Sequence, residues 1–235
     1  MKTKQFMPNN PPVVNNKNNK TKVAVASVVG SAVGIAGGVA AIYSMAKKGN
    51  PALALKKLAY SEKDILLLGT GSVLGGLTAG VIADDKKNAK YKVREASQQI
   101  VGNMLVPLAM LEGCTKLLEK SKFQIPQINS KAKVAQIVNK ISKPLPKVLV
   151  TAGALVCGME IGNKLMGAIN NKIYKEEVKH EVAPEDYLVH SDDVCLTANM
   201  LLKDVPAATS VTSAILPATM LVSGIKTGMQ QQESV

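Results

Sequence analysis

Residues 23–46 read VAVASVVGSAVGIAGGVAAIYSMA, 24 consecutive positions without a charge. A helix needs roughly 20 apolar residues to cross a hydrocarbon layer of about 30 Å, and an uncharged run of 18 is already a candidate span. Two further runs meet the same standard: Ile65–Ala83, with 19 residues, and Val205–Ile225, with 21. A water-facing helix of this length carries polar residues at a 3.6-residue period on its wet side, and none of the three does. Their reading decides the fold class: an all-α helical membrane bundle of four or five apolar helices.

Two shorter apolar segments complete that bundle. Ile100–Leu111 runs on through Cys114–Leu118 around Glu112 and Lys116, and Val148–Met159 runs on to Ile169 around Glu160 and Lys164. Either can span or lie at the interface. Ser61-Glu62-Lys63-Asp64 has the form of a helix start, with a capping hydroxyl and an acid in the first turn. Asp84-Asp85-Lys86-Lys87 ends the second run, since hydrocarbon does not accept four charges. Tyr43, Tyr60, Tyr91 and Tyr174 lie at expected helix ends, where an amphipathic ring favours the head-group layer.

The remaining chain divides by composition. Residues 1–22, rich in Lys and Asn with three prolines, hold nothing to bury and read as a disordered basic tail; the apolar run that follows exceeds a signal-peptide core. Residues 23–226 form the helical domain and 227–235 a polar C-terminal tail. Within 130–143, Val134, Ile137, Val138 and Ile141 fall on one helical face. Lys131, Lys133, Lys140 and Lys143 lie mainly off it, which suits the surface of an anionic leaflet. Residues 172–204 are the acidic, polar segment and contain both histidines.

The most specific pattern is small residues four apart: Gly30, Gly34 and Gly38; Gly71 and Gly75; Gly76 and Gly80; Gly158 and Gly162. In lipid, helices associate through close van der Waals contact, and glycines at this spacing make a groove that admits a second backbone. The pattern predicts tight helix packing within the chain, between copies as a homo-oligomer, or both.

A second pattern repeats after 48 residues: Glu112-x3-Lys116-Leu-Leu and Glu160-x3-Lys164-Leu-Met. Glu at i faces Lys at i+4, and ionisable groups inside a membrane segment are functional candidates. One expectation sets both pairs on a polar path inside the bundle, as in a small channel or transporter. The other sets them at the surface, with the lysines reaching outward.

The net charge of +12 comes from 28 Lys and one Arg, Arg94. With 3% aromatics and no recognition motif, the charge points to anionic lipid head groups and away from nucleic acid. No phosphate loop, nucleophile elbow or HExxH occurs, so the chain reads as non-enzymatic. Cys114, Cys157 and Cys195 form no CxxC pair and no disulfide framework. His180, Asp186, His190, Asp192, Asp193 and Cys195 are ligand types, but their spacing matches no zinc or calcium pattern; neither metal nor cofactor is expected. The expected function is a multi-pass, self-associating or scaffolding component of a membrane, of the bacterial inner membrane by this reading. The alternatives are the channel or transporter using Glu112 and Glu160, and a soluble helical protein with an unusually apolar core. Five spans leave about 14 basic residues on one side and about 13 on the other, which sets no orientation.

Overall fold

A computed structural model describes residues 16–46, 62–121, 126–130, 132–142, 145–174 and 206–231. These residues are nearly all helical, with no strand among them. Helix α1 covers Asn16–Ala46 and α2 covers Glu62–Ala83. A continuous helical run from Lys86 to Ser121 follows, made of a 3-10 turn (Lys86–Asn88), α3 (Ala89–Ser97), a π-helical segment (Gln98–Leu105) and α4 (Val106–Ser121). Helix α5 is Lys133–Ser142, α6 is Leu145–Tyr174 and α7 is Pro206–Met229. Among the described residues, three stretches are long and apolar enough to cross a membrane: Asn19–Met45, Lys63–Ala83 and Lys86–Ser121.

Helix directions follow from which residues meet. Gly30 lies against Gly75 and Gly34 against Gly71, so α1 and α2 are antiparallel. Gly76 lies against Gly224 and Gly80 against Gly228, so α7 runs parallel to α2. Ser31 also touches Gly224 and Ser27 touches Gly228. All three helices therefore meet in two layers, Ser31·Gly76·Gly224 and Ser27·Gly80·Gly228, about 6 Å apart along the axis. Side chains cannot fit there. A Cβ on Gly71 would come 2.6 Å from the Gly34 carbonyl oxygen, and one on Gly80 2.6 Å from the Gly228 Cα. Ser72, fully buried, spans the α2–α7 contact by donating to the Met220 carbonyl at 2.8 Å.

The second half of the bundle pairs the Lys86–Ser121 run with α6, again antiparallel: Gly102 meets Gly162 and Pro107 meets Gly158. Pro107 has no N–H, and its ring crowds the carbonyl four residues back. The turns before it open to i→i+5 bonding, with Val106 N–H bonded to the Val101 carbonyl. Both halves share one apolar cluster: Ile42, Ile65, Leu68, Leu111, Ala154, Leu155, Leu216 and Met220. A smaller one joins Val73, Ala96 and Met104.

Three boundaries depart from expectation. The tail of residues 1–22 gives its last seven residues to α1, where Lys is a good helix former and Asn19 reaches Asp84. The 227–235 tail gives its first three to α7, and Gln230 and Gln231 are then held by side-chain contacts. The apolar segment expected at 100–118 belongs to a helix that begins at Lys86 and has a polar inner face. Val134 and Val138 of α5 are both exposed, Val134 at 72%, and Asn139 ties α5 to the preceding irregular segment through both the N–H and the carbonyl of Ile128.

Replacing Gly224 with Leu will force α7 out of its groove and destabilise the fold by roughly 1–3 kcal/mol or more, the usual range for overpacking. Leu at Gly37 or Gly113, where an added Cβ meets nothing within 4 Å, will not destabilise the fold. Thermal unfolding followed by circular dichroism in detergent separates the two outcomes.

Candidate functional site

The charges ending the second apolar run build a buried cluster at one end of the bundle. Helix α2 closes with the Asp84 N–H on the Gly80 carbonyl, and the 3-10 turn then swings the chain into α3. One turn into α3, Lys92 is completely buried, as is the side chain of Asp84. Lys92 Nζ lies 2.9 Å from Asp84 Oδ2. It also donates to the Gly228 carbonyl, and to that of Gln230 at 2.9 Å. An ammonium has three protons, and here all three are used. The two carbonyls end α7, where a helix leaves acceptors unsatisfied and carries partial negative charge.

Asp84 is saturated in turn. Its Oδ1 accepts from the Asp85 N–H at 2.8 Å, Asn88 Nδ2 at 3.1 Å and Asn19 Nδ2 at 3.4 Å, and its Oδ2 accepts from Gln231 Nε2 at 3.1 Å. Burial alone raises the Asp84 carboxyl pKa. The hydrogen bonds from Lys92, Asp85, Gln231 and Asn88 together outweigh it and hold the group below its ordinary 3.8. Helices α1, α2, α3 and α7 thus converge on one carboxylate.

From this pair a polar ladder follows the inner face toward mid-bundle. Asn88, Lys92, Glu95, Gln99 and Asn103 are spaced four, three, four and four apart, so they share one side of the helix. Glu95, almost fully buried, is 3.8 Å from Lys226 of α7 and accepts from Gln99 Nε2 at 2.7 Å. Gln99 accepts from Asn103 Nδ2 at 3.1 Å. Gln98 donates to Asn163 of α6 at 2.6 Å, beside the Gly102–Gly162 approach. The network fixes helix ends to one another, and at its inner end Asn103 Oδ1 is buried without a hydrogen bond from the described residues.

The two Glu–Lys pairs form but are not enclosed. Glu112 and Lys116 are 2.6 Å apart with side chains 56% and 66% exposed; Glu160 and Lys164 are 3.4 Å apart at 69% and 80%. Taking Gly102–Gly162 and Pro107–Gly158 as the register, Glu112 is level with residues 152–153 and Glu160 with residues 104–105. The two glutamates sit about 11 Å apart along the axis at 1.5 Å per residue. Within the described bundle the structure sets both pairs on the outside and encloses neither in a polar path.

The glycines named from the sequence, Gly30, Gly34, Gly38, Gly71, Gly75, Gly76, Gly80, Gly158 and Gly162, all face a neighbouring helix. Their partners include Gly102, Gly224 and Gly228, which the sequence reading did not single out. Lys133 is exposed; Lys131, Lys143 and the side chain of Lys140 lie outside the described residues, as does the His180–Cys195 constellation. No group of three metal-ligating side chains occurs among the described residues. Lys92 and Glu95 were missed because they sit beside Arg94 and Lys90 in a stretch that reads as a solvated connection. The signal was there: Asn88, Lys92, Glu95, Gln99 and Asn103 form a polar stripe that runs on into an apolar segment. Against known protein families, curated proteins and solved structures, the chain finds no match.

Lys92→Met will strand a buried carboxylate and cost about 3–5 kcal/mol, the range for breaking one side of a buried pair; Asp84→Asn combined with Lys92→Met will recover part of that. Because the Asp84 pKa is lowered in the fold, its contribution is complete above the ordinary 3.8 and is lost as pH falls through the folded-state value. Unfolding midpoints between pH 7 and 2 will show an acid loss in the native protein that is absent from the double variant.

Proposed function

We propose that this chain is a multi-pass integral membrane protein, non-enzymatic, serving as a self-associating or scaffolding component of a membrane. One observation carries the reading, and α1 displays it within the nine residues 25–33. Ser27 and Ser31 are fully buried, while Val25, Val29 and Val33 stand outward at 59%, 57% and 66% exposure. The rest of the bundle repeats the pattern. Ser72, Ser223 and Thr227 are buried, and Ile82, Leu149 and Ile173 are exposed at 79%, 63% and 64%.

In water this arrangement is upside down. Each large aliphatic side chain moved from solvent into an apolar phase gains about 1.5–3 kcal/mol, so a soluble globule places it inside. Where lipid is the solvent, that incentive disappears, and small residues that let backbones touch become the interior. The outward aliphatics then face acyl chains.

Two further features support the finer reading. The α5 valines point away from the protein beside exposed Lys133, which suits a helix lying on anionic head groups. Gly153 and Gly167 of α6, on one helix face and free of neighbours within 4 Å, leave room for a second copy to approach. Such a scaffold uses no catalytic group, and the charged side chains serve anchoring and registration.

On fractionation the protein will stay with the membrane pellet through an alkaline carbonate wash and leave it only with detergent. Release by carbonate alone would overturn the integral reading and favour a soluble helical protein.

A further inference from the structure

Helix α6 and helix α7 point the same way. Antiparallel contacts of α6 with the Lys86–Ser121 run, of that run with α2, and the parallel contact of α2 with α7 leave both ending where Asp84 and Lys92 lie. The Glu95–Lys226 and Gly69–Met104 contacts agree with this. Tyr174 therefore lies at the Asp84 end and Pro206 at the other.

Residues 175–205 join those two ends and contain eleven charged side chains and both histidines. Their longest uncharged run is 194–202, nine residues, or about 14 Å as helix at 1.5 Å per residue. That is half of what a hydrocarbon layer requires, and each Asp or Lys at its centre costs about 2.5–3.5 kcal/mol. If α1, α2 and the Lys86–Ser121 run cross a bilayer, α6 ends on one side and this polar segment cannot carry the chain back to the other.

A second copy of opposite orientation removes the contradiction. Its own Asp84 end lies on the side where the helix filling the first copy's groove must begin, so its α7 enters that groove in the observed direction without residues 175–205 having to cross. We propose that the protein forms an antiparallel dimer in which each copy's α7 fills the α1–α2 groove of the other. The inference rests on the bilayer reading above. The acceptors for Lys92, at Gly228 and Gln230, and the Lys226 partner of Glu95 then come from the other chain, and neither copy's buried cluster is complete alone.

The charge distribution fits such a pair. With the exchange, fourteen basic residues belong to 1–22, 84–94, 172–179 and 203, and fourteen to 47–63, 116–147 and 226, with Lys164 between. An even split removes the bias that gives a membrane protein one orientation. Exchange of an identical element is a low-cost route to a closed dimer.

The test uses full-length chains with Cys114, Cys157 and Cys195 changed to Ser, produced together in one membrane under two tags. One copy carries Glu95→Cys and the other Lys226→Cys, and a short bismaleimide is applied. The expected product joins both tags at twice the single-chain mass. A chain carrying both substitutions that links only within itself overturns the exchange. Should those variants fail to assemble, two-sided labelling of a thiol at Ser234→Cys decides: near-equal labelling from each face is expected, and labelling from one face alone overturns the proposal. Release by carbonate would instead sink the bilayer reading, a separate result.

Discussion

The whole bundle depends on three backbones touching. Where Ser27, Gly80 and Gly228 meet, and again at Ser31, Gly76 and Gly224, no side chain larger than a hydroxymethyl separates the helices. Such proximity raises dispersion contact along the full length of each helix. It also demands registration, because a shift of one residue would drive a valine into a carbonyl. Small residues alone define a groove but specify an axial position weakly. Something at the helix ends must set it.

That role falls to the Asp84–Lys92 pair. A buried ion pair is not by itself a source of stability, since desolvating two charges offsets most of their attraction. Its value is positional. Lys92 recognises two carbonyls that exist in this arrangement only at the end of α7, and Asp84 collects donors from four stretches of chain. The glycine layers supply close contact, and the polar end supplies register. Serine and glutamine side chains between them pair much of the inner polar surface, although Ser31 Oγ, Ser223 Oγ, Asn103 Oδ1 and Asn171 Oδ1 find no hydrogen-bond partner among the described residues.

The helical class was legible from charge-free length, because an uncharged run of 24 residues such as 23–46 far exceeds an ordinary strand. Glycines four apart were legible because a spacing of four returns to one helix face. What escaped was partnership. Gly30 faces Gly75 and Gly76 faces Gly224, and nothing local distinguishes those pairings from others. The ion pairs show the limit from the other side. Glu112–Lys116 and Glu160–Lys164 looked functional because they interrupt apolar text, yet both are turned outward. Lys92 looked like one more lysine in a basic connection, and it is the most buried charge described. The stripe through Asn88, Lys92, Glu95, Gln99 and Asn103 marks a polar face in the sequence, but which helices cover that face is a tertiary property.

The wide turn at Gln98–Leu105 has one more consequence. Inward positions at Gln99, Asn103, Pro107 and Leu111 recur every four residues, and in a regular α-helix each such step drifts about 40° around the axis at 3.6 residues per turn. Three steps would carry Leu111 about 120° away from Gln99. One additional residue in a π turn returns about 100° of that rotation. A single rod thereby keeps its hydrophilic half and its greasy half in phase, so one continuous helix can clasp α7 near its start and α6 near its end without a break in between.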